Sequence, residues 1–213
     1  MSEVLTQKTS EQLCDIITKS KLKGRSGSGY LTGEKWKSGL RQRANQKYFI
    51  CNADESDPGS FVDRTIAESD PHLVLEGIII GSYAVNANNA IIYIRNRYTK
   101  AIEKLEKAIE SAYNSGLLGD NIFESGFNLD ISLRKGPGAF VCGEETALIA
   151  SIEGKRGMPS PRPPYPSEEG LFKKPTIVNN LETIANIRCI LEKGYDWFLN
   201  NGTTESSGTK LFS

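Results

Sequence analysis

The chain has 213 residues, 38% of them hydrophobic and 24% charged, with 26 basic residues balancing 26 acidic ones. That is the composition of a globular protein, and at this size roughly 70% of the unfolded chain's surface can be buried on folding. A net charge of zero offers no footprint for nucleic acid or an anionic membrane, and no stretch approaches the roughly 20 apolar residues that span a bilayer.

No nucleic-acid partner and no direct membrane insertion are therefore expected. The opening Met1, Ser2, Glu3 and Val4 lack the basic-then-apolar pattern of a secretory signal, so the cytoplasm or an organelle matrix is the expected location. The four cysteines, Cys14, Cys51, Cys142 and Cys189, form no CxxC pair. A zinc ribbon or iron–sulfur cluster within these residues is not expected, and Cys14 and Cys51 read as buried thiols. His72 is the only histidine, which leaves no basis for a His-based metal site or a Ser–His–Asp arrangement.

Along the chain, Thr9 and Gln12 have capping-box spacing and precede Leu13, Ile16 and Ile17 at helical intervals. Residues 24–33 form a glycine-rich loop, with Gly24, Gly27, Gly29 and Gly33. Residues 47–51 (KYFIC) predict a buried strand, residues 72–86 a largely buried helix, and residues 90–95 (AIIYIR) a second strand. Residues 100–113 predict an amphipathic helix with Ile102, Leu105, Ala108, Ile109 and Ala112 on one face. In residues 127–133, Phe127, Leu129, Ile131 and Leu133 alternate with polar residues, which predicts a third strand. Residues 139–142 read as a loop or short strand, and residues 145–152 as a short helix ended by Gly154. Residues 155–175 read as an ordered loop, and residues 179–192 as a last helix with Leu181, Ile184, Ile187 and Leu191 inward. Residues 1–202 are expected to be one domain; residues 203–213 read as the truncated start of a following domain, with 209–213 the first residues of a strand. Strands alternating with helices predict an α/β fold with a mainly parallel, Rossmann-like sheet flanked by helices.

Three polar clusters sit after strands or before helices, where such folds collect ligands. The glycine loop could present N–H groups to an anion, with Arg25 and Lys35 adding charge, though its spacing fits neither a Walker sequence nor GxGxxG. Asn52, Asp54, Glu55 and Asp57 crowd carboxylates past a strand end, where they could bind a ribityl chain, a ring edge or a ribose. Gly143, Glu144 and Glu145 open a helix, as do Asn179 and Asn180 with Thr183 one turn on. Each cluster alone also has a plain reading: a surface loop, a solvated acidic turn, or ordinary helix capping.

The ordered set is far more specific than its members. Gly24-Arg25, Gly27, Gly29, Thr32-Gly33 and Lys35-Trp36 are followed by Cys51-Asn52, Asp54-Glu55, Pro58-Gly59 and Asp63-Arg64. Then come Cys142-Gly143-Glu144-Glu145-Thr146, Glu153-Gly154, Arg156-Gly157, Pro175-Thr176 and Val178-Asn179-Asn180 with Glu182-Thr183. Nearly the whole chain, from about Lys8, resembles the flavin-carrying NADH dehydrogenase subunit of respiratory complex I and the related diaphorase subunits of hydrogenases and formate dehydrogenases. The resemblance implies a Rossmann-like fold with a non-standard FMN-binding glycine-rich loop. It implies FMN contacts at Gly24, Arg25, Ser26, Gly27, Lys35, Asn52, Asp54, Glu55, Gly143, Glu144, Asn179, Asn180 and Thr183. Glu145 and Asp57 would lie near the nicotinamide, as the residues closest to the chemistry, and Tyr30, Arg162 and Tyr165 along the rest of NADH. The family loop usually reads GRGGAGFPTG, so Ser26, Ser28, Tyr30 and Leu31 are departures, as are Ser38 for an aromatic, Asp57 for Glu and Arg162 for Lys.

The implied function is an NADH dehydrogenase flavoprotein domain that takes a hydride from NADH onto FMN and passes single electrons to iron–sulfur partner subunits of a larger complex, one that could sit at the periphery of a membrane. A 4Fe-4S cluster would belong to a C-terminal region outside these residues. Two alternatives stay open: a structural or flavin-binding remnant without turnover, and an NADPH-preferring relative, the latter motivated by Arg162.

Overall fold

A computed structural model describes residues 1–213. Four strands, β1 (Tyr48–Ala53), β2 (Asn89–Arg95), β3 (Asp130–Gly136) and β4 (Thr176–Asn180), form one parallel sheet in the order β3-β2-β1-β4. The middles of the central strands, Phe49 to Cys51 in β1 and Ala90 to Ile94 in β2, are apolar, as befits a sheet covered on both faces. Phe49, Cys51 and Ala53 of β1 join Ala90, Ile92 and Ile94 of β2 in the larger core. Ile50, Ile91, Tyr93 and Val178 point the other way, into a smaller cluster with Leu148, Ile149 and Leu171.

Nine α-helices surround the sheet: α1 (Ser2–Gln7), α2 (Ser10–Lys19), α3 (Thr32–Arg41), α4 (Val62–Ser69), α5 (Pro71–Val85), α6 (Thr99–Asn114), α7 (Glu145–Ile152), α8 (Leu181–Lys193) and α9 (Tyr195–Asn200). No helix is long and apolar enough to cross a membrane. The most buried is α5, whose Asp70 cap accepts from Leu73 N at 2.9 Å. Gly77 lets it pack against α8, since a Cβ there would lie 2.5 Å from the Ile184 carbonyl oxygen. On the opposite face, α7 and the 155–175 loop cover the smaller cluster.

The chain leaves β1 toward β2 and β3 on one side and returns as β4 on the other. The carboxyl ends of β1 and β4 thus lie side by side, with Asn52 paired to Asn180, at the reversal point where open α/β sheets bind ligands.

The predicted parallel α/β sheet is present, and Thr9 and Gln12 form the expected capping box on α2. Several details differ. Asn179 and Asn180 end β4, because Thr176, Ile177 and Val178 complete the sheet beside β1, and Asn180 is at the same time the N-cap of the expected helix, which begins at Leu181. The third strand starts at Asp130, since Leu129 bridges back to Gly119 instead of pairing with β2. Residues 140–143 form a 3₁₀ turn. Residues 209–213 form no strand; Leu211 N donates to the Glu182 carboxyl at 2.9 Å instead of to a sheet neighbour. Helices α1, α3, α4 and α9 were not legible: α1 and α9 are short, and α3 and α4 follow glycine- and proline-marked loops that obscure their starts.

Candidate functional site

A cleft of about 1450 Å³ opens above the ends of β1 and β4. The glycine loop and α3, the loop after β1, the starts of α7 and α8, the 155–175 loop and residues 211–213 wall it. Every anticipated site residue lines this cleft except Gly27 and Thr183. Gly27 is part of the loop's outer turn, with φ +102° and open space around its Cβ position. Thr183 is fully buried, and its Oγ1 accepts the Arg25 N–H at 2.9 Å, so it anchors the glycine loop from below.

That loop is closed by Gly24 N donating to the Tyr30 carbonyl and Thr32 N donating to the Leu22 carbonyl, each at 2.9 Å. Arg25 enters the protein: its Nη2 donates to the Ser207 carbonyl at 2.8 Å, and the guanidinium lies 6.0 Å from the Phe198 ring centre. Its Nε and Nη1 are buried with no partner, and burial lowers its pKa. Thr32 Oγ1, in the first turn of the uncapped helix α3, is likewise buried and unpaired. Gly33 serves a different end from the anion-presenting role its place in the loop predicts. A Cβ there would lie 2.3–2.5 Å from Thr18, so its bareness allows α2 and α3 to touch.

Near the carboxyl end of β1, Asn52 clamps two loops together. Its Oδ1 accepts from Asp54 N at 3.0 Å, and its Nδ2 donates to the Gly143 carbonyl at 3.0 Å. Both carboxyl oxygens of Asp54 are buried in the cleft without partners, and burial pushes its pKa up. Glu55 is used differently: its Oε1 accepts Val62 N at 2.6 Å and Asp63 N at 3.2 Å, and its Oε2 accepts Arg64 N at 3.3 Å. It is therefore a long-range cap on α4, whose own N-cap Phe61 has no side-chain acceptor. Asp57 is exposed at the lip, accepting from Gly59 N at 3.2 Å.

Across the cleft, Glu144 caps α7, accepting from Thr146 N at 2.8 Å and Ala147 N at 3.0 Å. Arg162 reaches over from the 155–175 loop and forks between Glu144 (2.8 Å) and Glu145 (2.7 Å). Lys35 holds the other oxygen of Glu145 at 2.9 Å. Two cations thus balance two anions on this wall. Tyr30 and Tyr165 also line the cleft, 55% and 54% exposed, with rings free to stack on a planar group. Ser38, beside them, pairs with Ser167 at 2.9 Å.

Asn179 accepts from Trp36 Nε1 at 2.9 Å, while Asn180 caps α8 by accepting Thr183 N at 3.2 Å. Sequence reasoning did not single out Asp63 as a site residue. Its Oδ2 accepts Asn180 Nδ2 at 2.7 Å, and its Oδ1 accepts Glu182 N at 3.2 Å. In the sequence it resembles any acid in a first helical turn, and only its long-range partners distinguish it.

Comparison with known proteins gives one consistent result. Residues 17–189 match the family model of the Nuo51 FMN-binding domain. The chain is 53% identical over 213 residues to the NADP-reducing hydrogenase subunit HndC of Solidesulfovibrio fructosivorans, covering all of this chain and 43% of that one. It is 54% identical over 202 residues to an NADH-quinone oxidoreductase subunit of Aquifex aeolicus, covering 95% of this chain and 47% of that protein. The chain therefore spans somewhat under half the length of these relatives. A crystal structure of NAD⁺-reducing [NiFe]-hydrogenase in the H₂-reduced state superposes with a TM-score of 0.89 at 35% identity, over 99% of this chain and 36% of that one.

Proposed function

The chain belongs to the Nuo51 FMN-binding domain family, and on that premise we propose that the cleft binds FMN and serves as the NADH-oxidising site of a larger redox complex. The observation that carries this reading is the set of buried, unpaired polar atoms in and beneath one cleft: both Asp54 carboxyl oxygens, Arg25 Nε and Nη1, and Thr32 Oγ1. Buried polar groups without partners cost about 1–3 kcal/mol each, and a ligand with complementary donors and acceptors would recover that cost. A flavin phosphate with a ribityl chain and a polar ring edge has that complement, so the residues present fit the group.

Gly24, Arg25, Ser26, Asn52, Asp54, Gly143 and Asn180 would hold FMN, with Thr183 and Asn179 fixing the loops that carry them. Lys35, Glu144, Glu145 and Arg162 form the wall toward the nucleotide, Asp57 sits at its lip, and Tyr30 and Tyr165 would stack on the adenine. When bound, the flavin supplies the two-electron chemistry, accepting a hydride from the nicotinamide and releasing electrons singly. The chain's own contribution is position and electrostatics. Arg162 and Lys35 neutralise Glu144 and Glu145, so a nucleotide phosphate can approach a wall that would otherwise repel it. Iron–sulfur partner subunits would receive the electrons, with the module at the periphery of the complex on the cytoplasmic or matrix side.

Purified protein reconstituted with FMN should be yellow and should bleach on anaerobic addition of NADH. Protein that stays colourless refutes the reading; colour without bleaching supports a flavin-binding remnant. A second reading, NADPH preference, is favoured by the Arg162 guanidinium at the cleft wall and by a relative named for NADP reduction. Bleaching rates with the two nucleotides decide it, and R162A should selectively slow NADPH if Arg162 reads the extra phosphate.

A further inference from the structure

The wall at the start of α8 contains a carboxyl cluster that FMN contacts alone do not explain. Glu55 Oε1 accepts from Asp63 N at 3.2 Å, Asp63 Oδ1 accepts from Glu182 N at 3.2 Å, and Glu182 Oε1 accepts from Leu211 N at 2.9 Å. All three carboxyl groups are buried and all three residues line the cleft. Glu55 collects three backbone N–H donors, the Ser60 hydroxyl and the Tyr98 hydroxyl. Asp63 has only two neutral donors, Asn180 Nδ2 and Glu182 N.

We propose that Asp63 is a proton-linked positioning residue, bracing α4 to the first turn of α8 beneath the cleft and taking up a proton when an anion occupies that cleft. The proposal rests on the FMN reading only in using FMN as the anion. The charged and titratable groups around Asp63 come from several elements. Glu55 follows β1, Cys51 lies in β1, and Glu182 belongs to α8. Arg25 from the glycine loop and Lys210 from the C-terminal segment act on Glu182. Arg64, next in α4, stacks 5.5 Å from the Tyr98 ring. No cation pairs with Asp63 itself, and its nearest charged neighbours are carboxylates.

Burial, reinforced by Glu55, pushes the Asp63 carboxyl from 3.8 up to about 8. The folded chain therefore holds a proton that the unfolded chain has released. The stability linked to it is complete below about pH 4 and is lost as pH rises toward about 8. An anion in the cleft raises the proton affinity further, so anion binding draws a proton from solvent and weakens as pH climbs past the same range. Asn180, which lines the cleft and caps α8, donates its Nδ2 to Asp63 and so links that carboxyl to the cleft.

The test uses the whole chain and two variants, D63N and E182Q. In urea unfolding without ligand, the wild type should lose stability steadily between pH 5 and 8, and D63N should lose much less. E182Q, which removes a neighbouring negative charge, should move the wild-type transition to lower pH and serves if D63N does not fold. Calorimetric titration of FMN near pH 8, in two buffers of unlike ionisation heat, counts the protons. Above pH 7 the FMN phosphate is already doubly ionised, so uptake reports on the protein. Wild type should take up a measurable fraction of a proton per FMN, and affinity should fall by up to about tenfold per pH unit; D63N should show neither. Equal pH slopes in wild type and D63N, or equal proton counts, overturn the proposal. If neither protein binds FMN, the flavin reading and the linkage fall together, and the unfolding slopes still decide whether Asp63 holds the proton. A merely structural brace would change stability but not the proton count.

Discussion

Replacing Glu55 by alanine would uncap α4 from a distance. Its carboxylate takes three successive backbone N–H groups, those of Val62, Asp63 and Arg64, at 2.6, 3.2 and 3.3 Å, and no other side chain caps that helix. Loss of an N-cap costs about 1 kcal/mol. Because Asp63 is buried, its N–H would also lose a partner that water replaces poorly, adding about 1–3 kcal/mol. One effect opposes this at the higher pH, where Asp63 begins to ionise: Glu55 repels the Asp63 carboxylate, and its removal relieves part of that cost. The net expectation is a loss of about 2–3 kcal/mol, which for a chain of this size lowers Tm by about 4–12 °C. E55Q keeps an acceptor for the helix and should lose about half as much. Urea unfolding with linear extrapolation, at pH 6 and again at pH 8, measures both. A loss below about 0.5 kcal/mol in E55A would refute the assignment of Glu55 as the cap of α4, and would return its carboxylate to the cleft.

Three further expectations follow from the packing and the site. G33A should destabilise the chain by about 2 kcal/mol or more, because the new methyl would meet Thr18 at 2.3–2.5 Å; thermal unfolding checks it. R25M removes two buried unpaired nitrogens along with the bond to Ser207. FMN affinity should fall about 10- to 100-fold, the worth of a charge-assisted hydrogen bond, while stability changes little; fluorescence titration of FMN with unfolding curves separates the two. Among the thiols, Cys14, Cys51 and Cys142 are buried and Cys189 is partly exposed, so timed alkylation read by mass spectrometry should modify Cys189 first.

Much of the site was legible because its residues lie in short, ordered motifs. The Asn52, Asp54 and Glu55 run, the Gly143 to Glu145 run and the Asn179–Asn180 pair all line one cleft, as their positions after strands and before helices predicted. What those side chains do inside the cleft was less legible. Asp54 points its carboxyl oxygens into a buried space without partners, yet its neighbour Glu55 turns to cap α4. Nothing in the tetrapeptide distinguishes these fates, since they depend on a helix start seven to nine residues away that was itself not legible.

The sequence by itself determined the parallel α/β frame, the apolar helix α5, the cap on α2 and the family to which the chain belongs. These rest on periodicity, capping and motif order, all set by residues close together in the chain. The tertiary structure alone decided that Gly33 serves helix packing, that Thr183 anchors the glycine loop, that Arg162 forks onto Glu144 and Glu145, and that Asp63 braces α4 against α8. The Asn180–Asp63 bond joins residues 117 positions apart, and the Arg25–Thr183 bond residues 158 apart. Contacts of that range leave no local pattern: the partners become neighbours only when the sheet brings the ends of β1 and β4 together.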